Sequence, residues 1–454
     1  MPLEKVPQTM VKTAFLFPGQ GSFVPGILRD LADEGPVSET LRRADAVASG
    51  YGHGNIRSVL TDSRSPQQRA MTDAPSTLWL AIFTTSTALH AFLRAEGLRP
   101  DVLIGHSQGE IAALTAGGWL ALEDGLRLLC EREAHLRAHS PRGGLLAVEL
   151  GVRRTEGLIG MMGDATAAMA ADNAPGQTVI SGSEDSLATA QKVLAAMEVT
   201  STRLRAPYPF HGPLLAGVTE SFREVVDGVE FHLGHTPVFS PILGRPIASV
   251  DDARAVVRNH LVQPVWFRKA VFEVLADGVD RFVECGAKSI LVDLARRTTP
   301  NSVDFLAPLT RRAAKADVHA LFDASADAPV APHDESAAGS VPETPAVPAA
   351  AEPETTPVAL KANGRLPEAD VLIDELRQIF AEQLGYPLDV LTDDVDLEAD
   401  LGISSVKQIE LFTIVLDRYN LATPPSDIRP GLFATLPDLA TFLRRLDDDA
   451  AKAA

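Results

Sequence analysis

The stretch "DVLIGHSQGEIAALTAGGWLAL", residues 101–122, decides the fold of the first part of the chain. A short apolar run leads to Ser107, which stands between two glycines, and an apolar segment that we predict to be helical follows. Glycine tolerates a tight, strained turn between a strand and a helix, and a serine at the apex of such a turn is exposed at the edge of the sheet. The pattern predicts strand, turn and helix, with Ser107 as a candidate nucleophile. A serine that only caps the helix is the alternative.

Around this stretch, short apolar runs alternate with longer segments of helical period from about residue 11 to residue 320. The apolar runs are "TAFLFPG", "DVLIGHS", "TVISGS" and "RFVECG", and the helical segments include 80–95 and 110–138. This alternation is typical of an α/β domain with a largely parallel sheet. The sequence therefore predicts an α/β fold for residues 11–320.

The composition changes near residue 324. Residues 324–363 are rich in Pro, Ala, Glu and Thr and contain no aromatic residue, so they cannot bury enough apolar surface to offset the entropy of ordering. We predict a disordered linker there. Residues 366–447 then show apolar positions at helical spacing, which predicts a four-helix bundle. This bundle contains 16 acidic and 6 basic residues, a net charge of about −10.

Charge and composition exclude several classes of function. The 454 residues carry a formal net charge of −19, which disfavours nucleic acid and anionic membranes as partners. The first ten residues have no apolar signal core, and the longest apolar stretch, around 103–122, is interrupted by polar residues, so we expect a cytoplasmic protein. The two cysteines, Cys130 and Cys285, give neither a disulfide framework nor a metal-ligand cluster, and no metal is predicted.

A serine hydroxyl needs a base to become a nucleophile. The adjacent His106 would normally point away from the serine at such a turn, so the base must come from elsewhere in the chain. His211, in "PYPFHGPLL", lies in a loop that prolines and a glycine make rigid, and there a histidine that only fills the core is less expected. Spacing alone does not choose among the 11 histidines.

Seven motifs together resemble malonyl-CoA:acyl carrier protein transacylases and the acyltransferase domains of polyketide synthases. In chain order they are "FPGQGS" (17–22), "GHSQGE" (105–110), Arg132, "ADNAPGQTVISGS" (171–183), "PFHG" (209–212), "QPVWF" (263–267) and "ECGAKSIL" (284–291). The resemblance covers nearly all of residues 11–312. It implies an α/β-hydrolase-like large subdomain with a ferredoxin-like small subdomain at about 143–205.

The resemblance also implies roles for single residues. Ser107 would be the nucleophile and His211 its base, and the backbone amides of Gln20 and Gln108 would form the oxyanion hole. Arg132, 25 residues after the serine, would bind the free carboxylate of the substrate, because a planar guanidinium can hold a carboxylate with two hydrogen bonds. A surface arginine on a helix is the alternative reading of Arg132.

Two positions depart from the family pattern. His260 stands where the family has Asn or Gln, whose backbone carbonyl helps to orient the catalytic histidine, so we expect the His260 backbone to do this. Ala74 stands where the family commonly has a pocket-lining glutamine. In the specificity loop, Phe210 resembles malonyl-selective domains, whereas Tyr208 and Gln108 resemble methylmalonyl-selective ones. The balance favours malonyl.

A second serine lies in "DLEADLGISSVKQIELF", residues 396–412, which resembles the phosphopantetheine site of acyl carrier proteins. In that register Ser405 would carry covalent 4'-phosphopantetheine, while Ser404 replaces the family's aspartate and Val406 its leucine. A serine that caps a helix N-terminus is the alternative. The resemblance thus implies an acyl carrier protein domain over 366–447.

The resulting hypothesis is an acyltransferase that moves a malonyl-type group from CoA, through Ser107, to the thiol of a carrier. The expected partners are malonyl-CoA or a related acyl-CoA, acyl carrier proteins, a ketosynthase or other polyketide synthase components, and a phosphopantetheinyl transferase. Because the acyltransferase motifs begin near residue 11, we expect a loading or trans-acting component. The alternatives are transfer of an unusual acyl group between carriers, an editing thioesterase, and a tail that serves as an unmodified docking module.

Overall fold

The structure is a computed structural model that describes residues 11–62, 75–299, 303–326, 366–384 and 435–453, with isolated positions between 388 and 421. The strands are β1 (Thr13–Phe17), β2 (Val102–Gly105), β3 (Gly144–Val148), β4 (Ala168–Ala174), β5 (Gln177–Gly182), β6 (Ser201–Leu204), β7 (Val238–Ser240), β8 (Arg245–Pro246), β9 (Arg281–Glu284) and β10 (Asp304–Leu306). The helices are α1 (Gly35–Gly50), α2 (Ile56–Thr61), α3 (Pro75–Ala95), α4 (Gly109–Ala116), α5 (Leu122–His139), α6 (Val152–Met162), α7 (Glu184–Ala196), α8 (Ala216–Asp227), α9 (Val250–Asn259), α10 (Phe267–Ala276), α11 (Ile290–Arg296), α12 (Lys315–Ala326), α13 (Ala369–Leu384) and α14 (Leu436–Ala453).

The larger sheet has the strand order β10–β9–β1–β2–β7–β8 and is parallel except for the β7–β8 pair. β1 and β2 are neighbours, with Phe17 opposite Gly105 at their carboxyl ends. The loops that follow these two strands, "FPGQGS" and "GHSQGE", therefore leave the same edge of the sheet side by side. In parallel α/β sheets this is the edge where ligands bind.

The smaller sheet is antiparallel and has the order β4–β5–β3–β6. Its elements follow one another as β3, α6, β4, β5, α7 and β6, which is the ferredoxin-like arrangement. β4 also joins the segment before α10, because the Asp172 amide donates to Val265 O and the Val265 amide to Ala170 O, both at 2.9 Å. The small sheet is thus linked to the larger subdomain at the "QPVWF" motif. This α/β fold with a ferredoxin-like part agrees with the expected fold class.

The helical segment predicted at 110–138 is wrong in one respect: it consists of two helices. α4 ends at Ala116 and α5 begins at Leu122. Gly118 between them has a φ of 81°, a left-handed conformation that ends a helix. The Gly117 amide still donates to Ala113 O at 2.8 Å, so the break falls at the glycine pair.

α3 is long and apolar enough to cross a membrane, but 89% of its apolar window is buried within the protein. A helix that is apolar on all sides is also what the centre of a large core requires. Trp79, Phe83 and Phe92 of this helix are each at most 1% exposed. α3 is therefore a core helix.

The chain stays ordered past residue 320, where the sequence predicted the α/β domain to end. α12 continues to Ala326, because Val318 and Phe322 are buried against the core. The rest of the predicted linker lies outside the described residues. Of the predicted four-helix bundle, α13 and α14 are described and pack against each other, with Leu372, Leu376 and Leu443 fully buried.

Candidate active site

Ser107 lies at the apex of the turn between β2 and α4, in a left-handed conformation with a φ of 53°. The flanking glycines are required by close packing: a Cβ at Gly109 would lie 1.8 Å from Phe17 O, and one at Gly105 would lie 2.3 Å from Glu110 Cα. Strain of this kind persists only where the surrounding structure holds it. The turn is therefore a nucleophile elbow, not a simple helix cap.

His211 is the hydrogen-bond partner of this serine. Ser107 Oγ lies 2.7 Å from His211 Nε2, and His211 Nδ1 lies 2.9 Å from the backbone oxygen of Gln263. A carbonyl can only accept, so Nδ1 carries the proton and Nε2 is free to accept one from the serine. Burial lowers the pKa of His211 to about 4, which keeps the imidazole neutral at physiological pH. The structure thus brings together the two residues of the predicted nucleophile and base.

The carbonyl that orients His211 differs from the expected one. The sequence assigned this role to the backbone of His260, but the acceptor at 2.9 Å is Gln263 O, three residues later. The backbone of His260 also raises the pKa of His211, as the weaker of the two backbone contributions. Spacing could not distinguish the two carbonyls, because both lie in the same turn between α9 and α10.

The neighbouring His106 points away from Ser107, as expected. Its Nε2 donates to Asn173 Oδ1 of β4 at 2.7 Å, and its ring packs edge-on against Phe267 at 5.4 Å. His106 therefore holds the small sheet against the elbow and does not act on the serine.

The loop after β1 lies against the elbow and carries one of the two predicted oxyanion donors. A Cβ on Gly19 would lie 2.8 Å from His106 O and 3.6 Å from Gln108 N. The Gln20 side chain donates to Arg205 O at 2.9 Å, which fixes this loop. Gln108 directly precedes α4, so its amide has no carbonyl four residues earlier within the helix to bond. Both amides are thus near the elbow.

Arg132, on α5, is only 2% exposed and has no acidic partner in the part of the chain that the structure describes. Its guanidinium lies over the ring of Trp79, 4.5 Å from the centroid. Nη2 donates to Gln108 Oε1 at 3.3 Å, and Nη1 lies 3.5 Å from His260 Nδ1. No residue that the structure describes hydrogen-bonds to the buried Nε, and burial lowers the pKa of the group to about 9. A buried cation held only by neutral groups is a site for an anion.

The predicted specificity residues form an aromatic wall with a residue that the sequence analysis missed. Phe210 is 7% exposed and lies 5.7 Å from the ring of Tyr208. Trp79 of α3 packs edge-on against Phe210 at 5.9 Å and lies 6.3 Å from Tyr208. The available signal was a tryptophan two residues after "TDAPST", the segment already associated with the pocket.

Two buried carboxyls in the motifs have structural roles. Glu110 binds the chain at the end of β7: it accepts a hydrogen bond from the Ile242 amide and shares a hydrogen bond with the Ser240 hydroxyl, and burial raises its pKa to about 8. Glu284 accepts from the Leu291 and Val292 amides at the start of α11 at 2.9 and 3.0 Å, and burial raises its pKa to about 8. Each carboxyl fixes a helix at the edge of the sheet.

Four residues that the sequence analysis singled out lie beyond what the structure describes. Ser405, with its neighbours Ser404 and Val406, and Ala74 fall outside the described residues. Among the described residues no group of three or more His, Cys, Asp or Glu is arranged to hold a metal ion.

Comparison with known families identifies the two parts of the chain. The family model described as "Acyl transferase domain" matches residues 14–330. The chain belongs to the acyl transferase domain family. A second family model, "Phosphopantetheine attachment site", matches residues 374–443. This acyltransferase domain is therefore followed by a carrier-type domain, whose cofactor is covalently attached 4'-phosphopantetheine.

Curated relatives of the acyltransferase include polyketide synthases. The chain is 31% identical over 283 residues to polyketide synthase GfsE of Streptomyces halstedii, which is 62% of this chain and 7% of that protein. It is 30% identical over 315 residues to atrochrysone carboxylic acid synthase of Aspergillus chevalieri, which is 68% of this chain and 17% of that protein. The chain thus spans less than a fifth of the length of either relative.

Solved structures share the fold of the acyltransferase. An acyl-carrier-protein S-malonyltransferase from Burkholderia pseudomallei 1710b matches with a TM-score of 0.62 and 26% identity, covering 68% of this chain and 99% of that one. A loading acyltransferase from the avermectin modular polyketide synthase matches with a TM-score of 0.63 and 24% identity, covering 69% of this chain and 99% of that one.

The chemistry of the matched range fits the cofactor. A serine hydroxyl is the group to which phosphopantetheine is attached, and the matched range contains Ser404 and Ser405 side by side. When bound, the cofactor supplies a terminal thiol that can accept an acyl group as a thioester.

Proposed function

We propose that this protein moves a malonyl-type group from CoA, through an ester on Ser107, to the thiol of an acyl carrier protein in polyketide or fatty acid biosynthesis. The observation that carries the proposal is Arg132. It is a buried guanidinium with no acidic partner among the described residues, and it is joined to the serine–histidine pair through Gln108 and His260. A substrate carboxylate supplies the missing counter-charge.

The first half-reaction forms the acyl-enzyme. Ser107 Oγ attacks the thioester carbonyl while His211 Nε2 takes the hydroxyl proton. The negative oxygen of the tetrahedral intermediate is stabilised by the backbone amides of Gln20 and Gln108. Breakdown of the intermediate cleaves the C–S bond, and CoA leaves with the proton that His211 returns to its sulfur. His211 is then neutral again.

The second half-reaction is the same sequence in reverse with another thiol. His211 Nε2 would take the proton of the acceptor thiol, and the Ser107 oxygen would recover that proton as its ester bond breaks and the acyl group passes to the thiol. The neutral His211 suits both halves, since it must accept a proton from the nucleophile each time. In our reading Ser405 provides the attachment site for that thiol.

Arg132 gives the reaction its selectivity for acyl groups that end in a carboxylate. A fixed guanidinium can bind the carboxylate with two parallel hydrogen bonds, which places the thioester carbon at Ser107. Phe210 packs against Trp79 and Tyr208 and places a bulky ring in this wall, which in our proposal favours malonyl over methylmalonyl.

The competing functions make different demands on the site. A hydrolytic Ser–His–acid triad would place a carboxylate on His211 Nδ1, whereas here a backbone carbonyl accepts that hydrogen bond. An editing thioesterase also has no use for Arg132. Transfer of an unusual acyl group between carriers remains the second candidate, because Tyr208 and Gln108 resemble the methylmalonyl-selective pattern.

The test is covalent labelling of the purified protein with malonyl-CoA and acetyl-CoA in competition, followed by peptide mapping. We expect malonyl on Ser107, in clear excess over acetyl, and no label in Ser107→Ala. Free malonate as the main product in the presence of a holo carrier would instead support hydrolysis. Acyl groups accepted from carriers but not from CoA would support carrier-to-carrier transfer.

We further infer a cytoplasmic protein that works with a phosphopantetheinyl transferase and with a ketosynthase or other polyketide synthase components. The support is the relatedness to polyketide synthases, the two buried free thiols of Cys130 and Cys285, and the net charge of −19, which is unsuited to nucleic acid or anionic membranes.

A further inference from the structure

The side chain of His260 lies between the two functional centres of the site. It stands at the carboxyl end of α9 and is 2% exposed. Its Nδ1 is 3.5 Å from Arg132 Nη1, and its ring lies edge-on to that of His211 with the centroids 5.6 Å apart. One side chain therefore contacts both the residue for the substrate carboxylate and the residue that moves the proton.

The hydrogen-bonding groups fix the form of this imidazole. A guanidinium only donates, so Nδ1 must be the unprotonated, accepting nitrogen, and the ring proton is on Nε2. Burial, Arg132 and His211 together hold the pKa of His260 well below its ordinary value, so the ring is neutral. Nε2 is buried without a full hydrogen bond, although the backbone of Ser107 lies close enough to raise the pKa slightly.

All the groups that hold Arg132 are neutral. The indole face of Trp79, Oε1 of Gln108 and Nδ1 of His260 contact different parts of the guanidinium. Together they fix its plane without cancelling its charge. An acidic partner in place of any of them would fix the plane equally well but would compete with the substrate carboxylate for the positive charge.

We propose that His260 is a positioning residue that acts through its side chain: it accepts a hydrogen bond from Arg132 and so sets the preference for acyl groups that end in a carboxylate. This inference rests on the proposed function and adds to it a role that the backbone of His260 does not perform. His260 touches no reacting atom. Its removal is therefore expected to affect only substrates that use Arg132, whereas a general loosening of the site would slow all substrates.

The test compares malonyl-CoA with acetyl-CoA as donors for acylation of Ser107, in the full chain. His260→Leu and His260→Met remove the hydrogen-bond acceptor but fill the space of the ring. Methionine is included because its flexible side chain adapts to the cavity if leucine prevents folding. His260→Asn keeps an oxygen that can accept from Arg132. The matched control is His90→Leu, since His90 is also a buried histidine with an unpartnered Nε2, but it packs against Phe15 and Phe17 in the core.

We expect kcat/KM for malonyl-CoA to fall about tenfold in both apolar variants, mainly through KM, as for loss of one hydrogen bond to a charged group. The value for acetyl-CoA should change by less than about twofold, His260→Asn should recover most of the malonyl activity, and His90→Leu should keep the wild-type ratio. An equal loss for both donors, or an unchanged ratio in a folded apolar variant, would overturn the inference. Failure of the proposed function would show separately, as a wild-type protein with no preference for malonyl-CoA.

Discussion

In the proposed mechanism, two buried side chains set the pH range in which Ser107 can receive a carboxyacyl group. His211 must be neutral to take the serine proton, and burial lowers its pKa to about 4. Arg132 must be charged to bind the carboxylate, and burial lowers its pKa to about 9. The residues act in opposite protonation states, so the reaction has an acid limit and an alkaline limit.

We therefore expect kcat/KM for malonyl-CoA to be flat near neutral pH and to decline toward pH 4 and above pH 9. With acetyl-CoA the alkaline decline should be absent, because that substrate makes no use of Arg132. The measurement is the pH dependence of Ser107 acylation with each donor. An acid limb near the ordinary histidine pKa, about 6.5, would contradict a buried neutral His211.

Sequence alone identified most of these residues but not their contacts. Ser107 is visible because a strained turn restricts residue choice locally, whereas His211 and Arg132 were chosen through the resemblance to acyltransferases. That Gln263 orients His211 and that Trp79 lies under Arg132 depend on how distant elements pack, 52 residues apart in the first case and 53 in the second. No local pattern reports such contacts.

At the scale of elements, the edge formed by β1, β2 and α4 holds the site in place. The alternation of apolar runs predicted the strands that build it, because buried parallel strands read as continuous apolar segments. The division of the following helical segment into α4 and α5 was missed, because a glycine pair inside an apolar pattern does not by itself mark a helix end.

Gly109 tests how tightly this edge is packed. The Cβ of Gly109→Ala would lie 1.8 Å from Phe17 O, so β1 and α4 would have to separate. We expect a loss of about 3 kcal/mol or more in the free energy of unfolding, as for other severe backbone clashes. Urea unfolding followed by tryptophan fluorescence measures this, since all three tryptophans lie in the acyltransferase region.

The matched control is Gly157→Ala in α6, where a new Cβ meets nothing within 4 Å. A helix gains about 0.5–1 kcal/mol from this exchange. Equal effects of the two substitutions would show that the elbow is loosely packed.

Glu110 links α4 to the end of β7 as a buried, protonated carboxyl. Its pKa is raised to about 8 from 4.5, so wild-type stability declines as pH rises between these values, where the unfolded chain releases a proton that the folded chain keeps. Glu110→Gln cannot titrate. We therefore expect the difference in the free energy of unfolding, variant minus wild type, to rise by about 3 kcal/mol from pH 5 to pH 8. A stability difference independent of pH would mean that the folded carboxyl is ionised.

At the scale of the whole molecule, the chain combines an acyltransferase domain at 14–330 with a phosphopantetheine attachment domain at 374–443. The change in composition near residue 324 predicted this division, although helix α12 continues to Ala326. A boundary set by packing is hard to place from composition, because two buried side chains are enough to extend it.

We predict that phosphopantetheine is attached to Ser405. Treatment with a phosphopantetheinyl transferase and CoA should increase the intact mass by one phosphopantetheine, and Ser405→Ala should abolish this gain. Ser404→Ala is the matched control and should keep it. A mass gain that is lost only in Ser404→Ala would show that Ser404 is the attachment site. No mass gain in the wild type would support a tail that serves as an unmodified docking module.

The most direct test of the central claim is the fate of one malonyl group in the phosphopantetheine-loaded protein. After addition of malonyl-CoA, peptide mapping over time should find malonyl first on Ser107 and then on a carrier thiol, either on the same chain or on an added holo carrier, with both signals absent in Ser107→Ala. Malonyl on the carrier thiol in Ser107→Ala at the wild-type rate, or release of the group as free malonate with no carrier loading, would contradict the account.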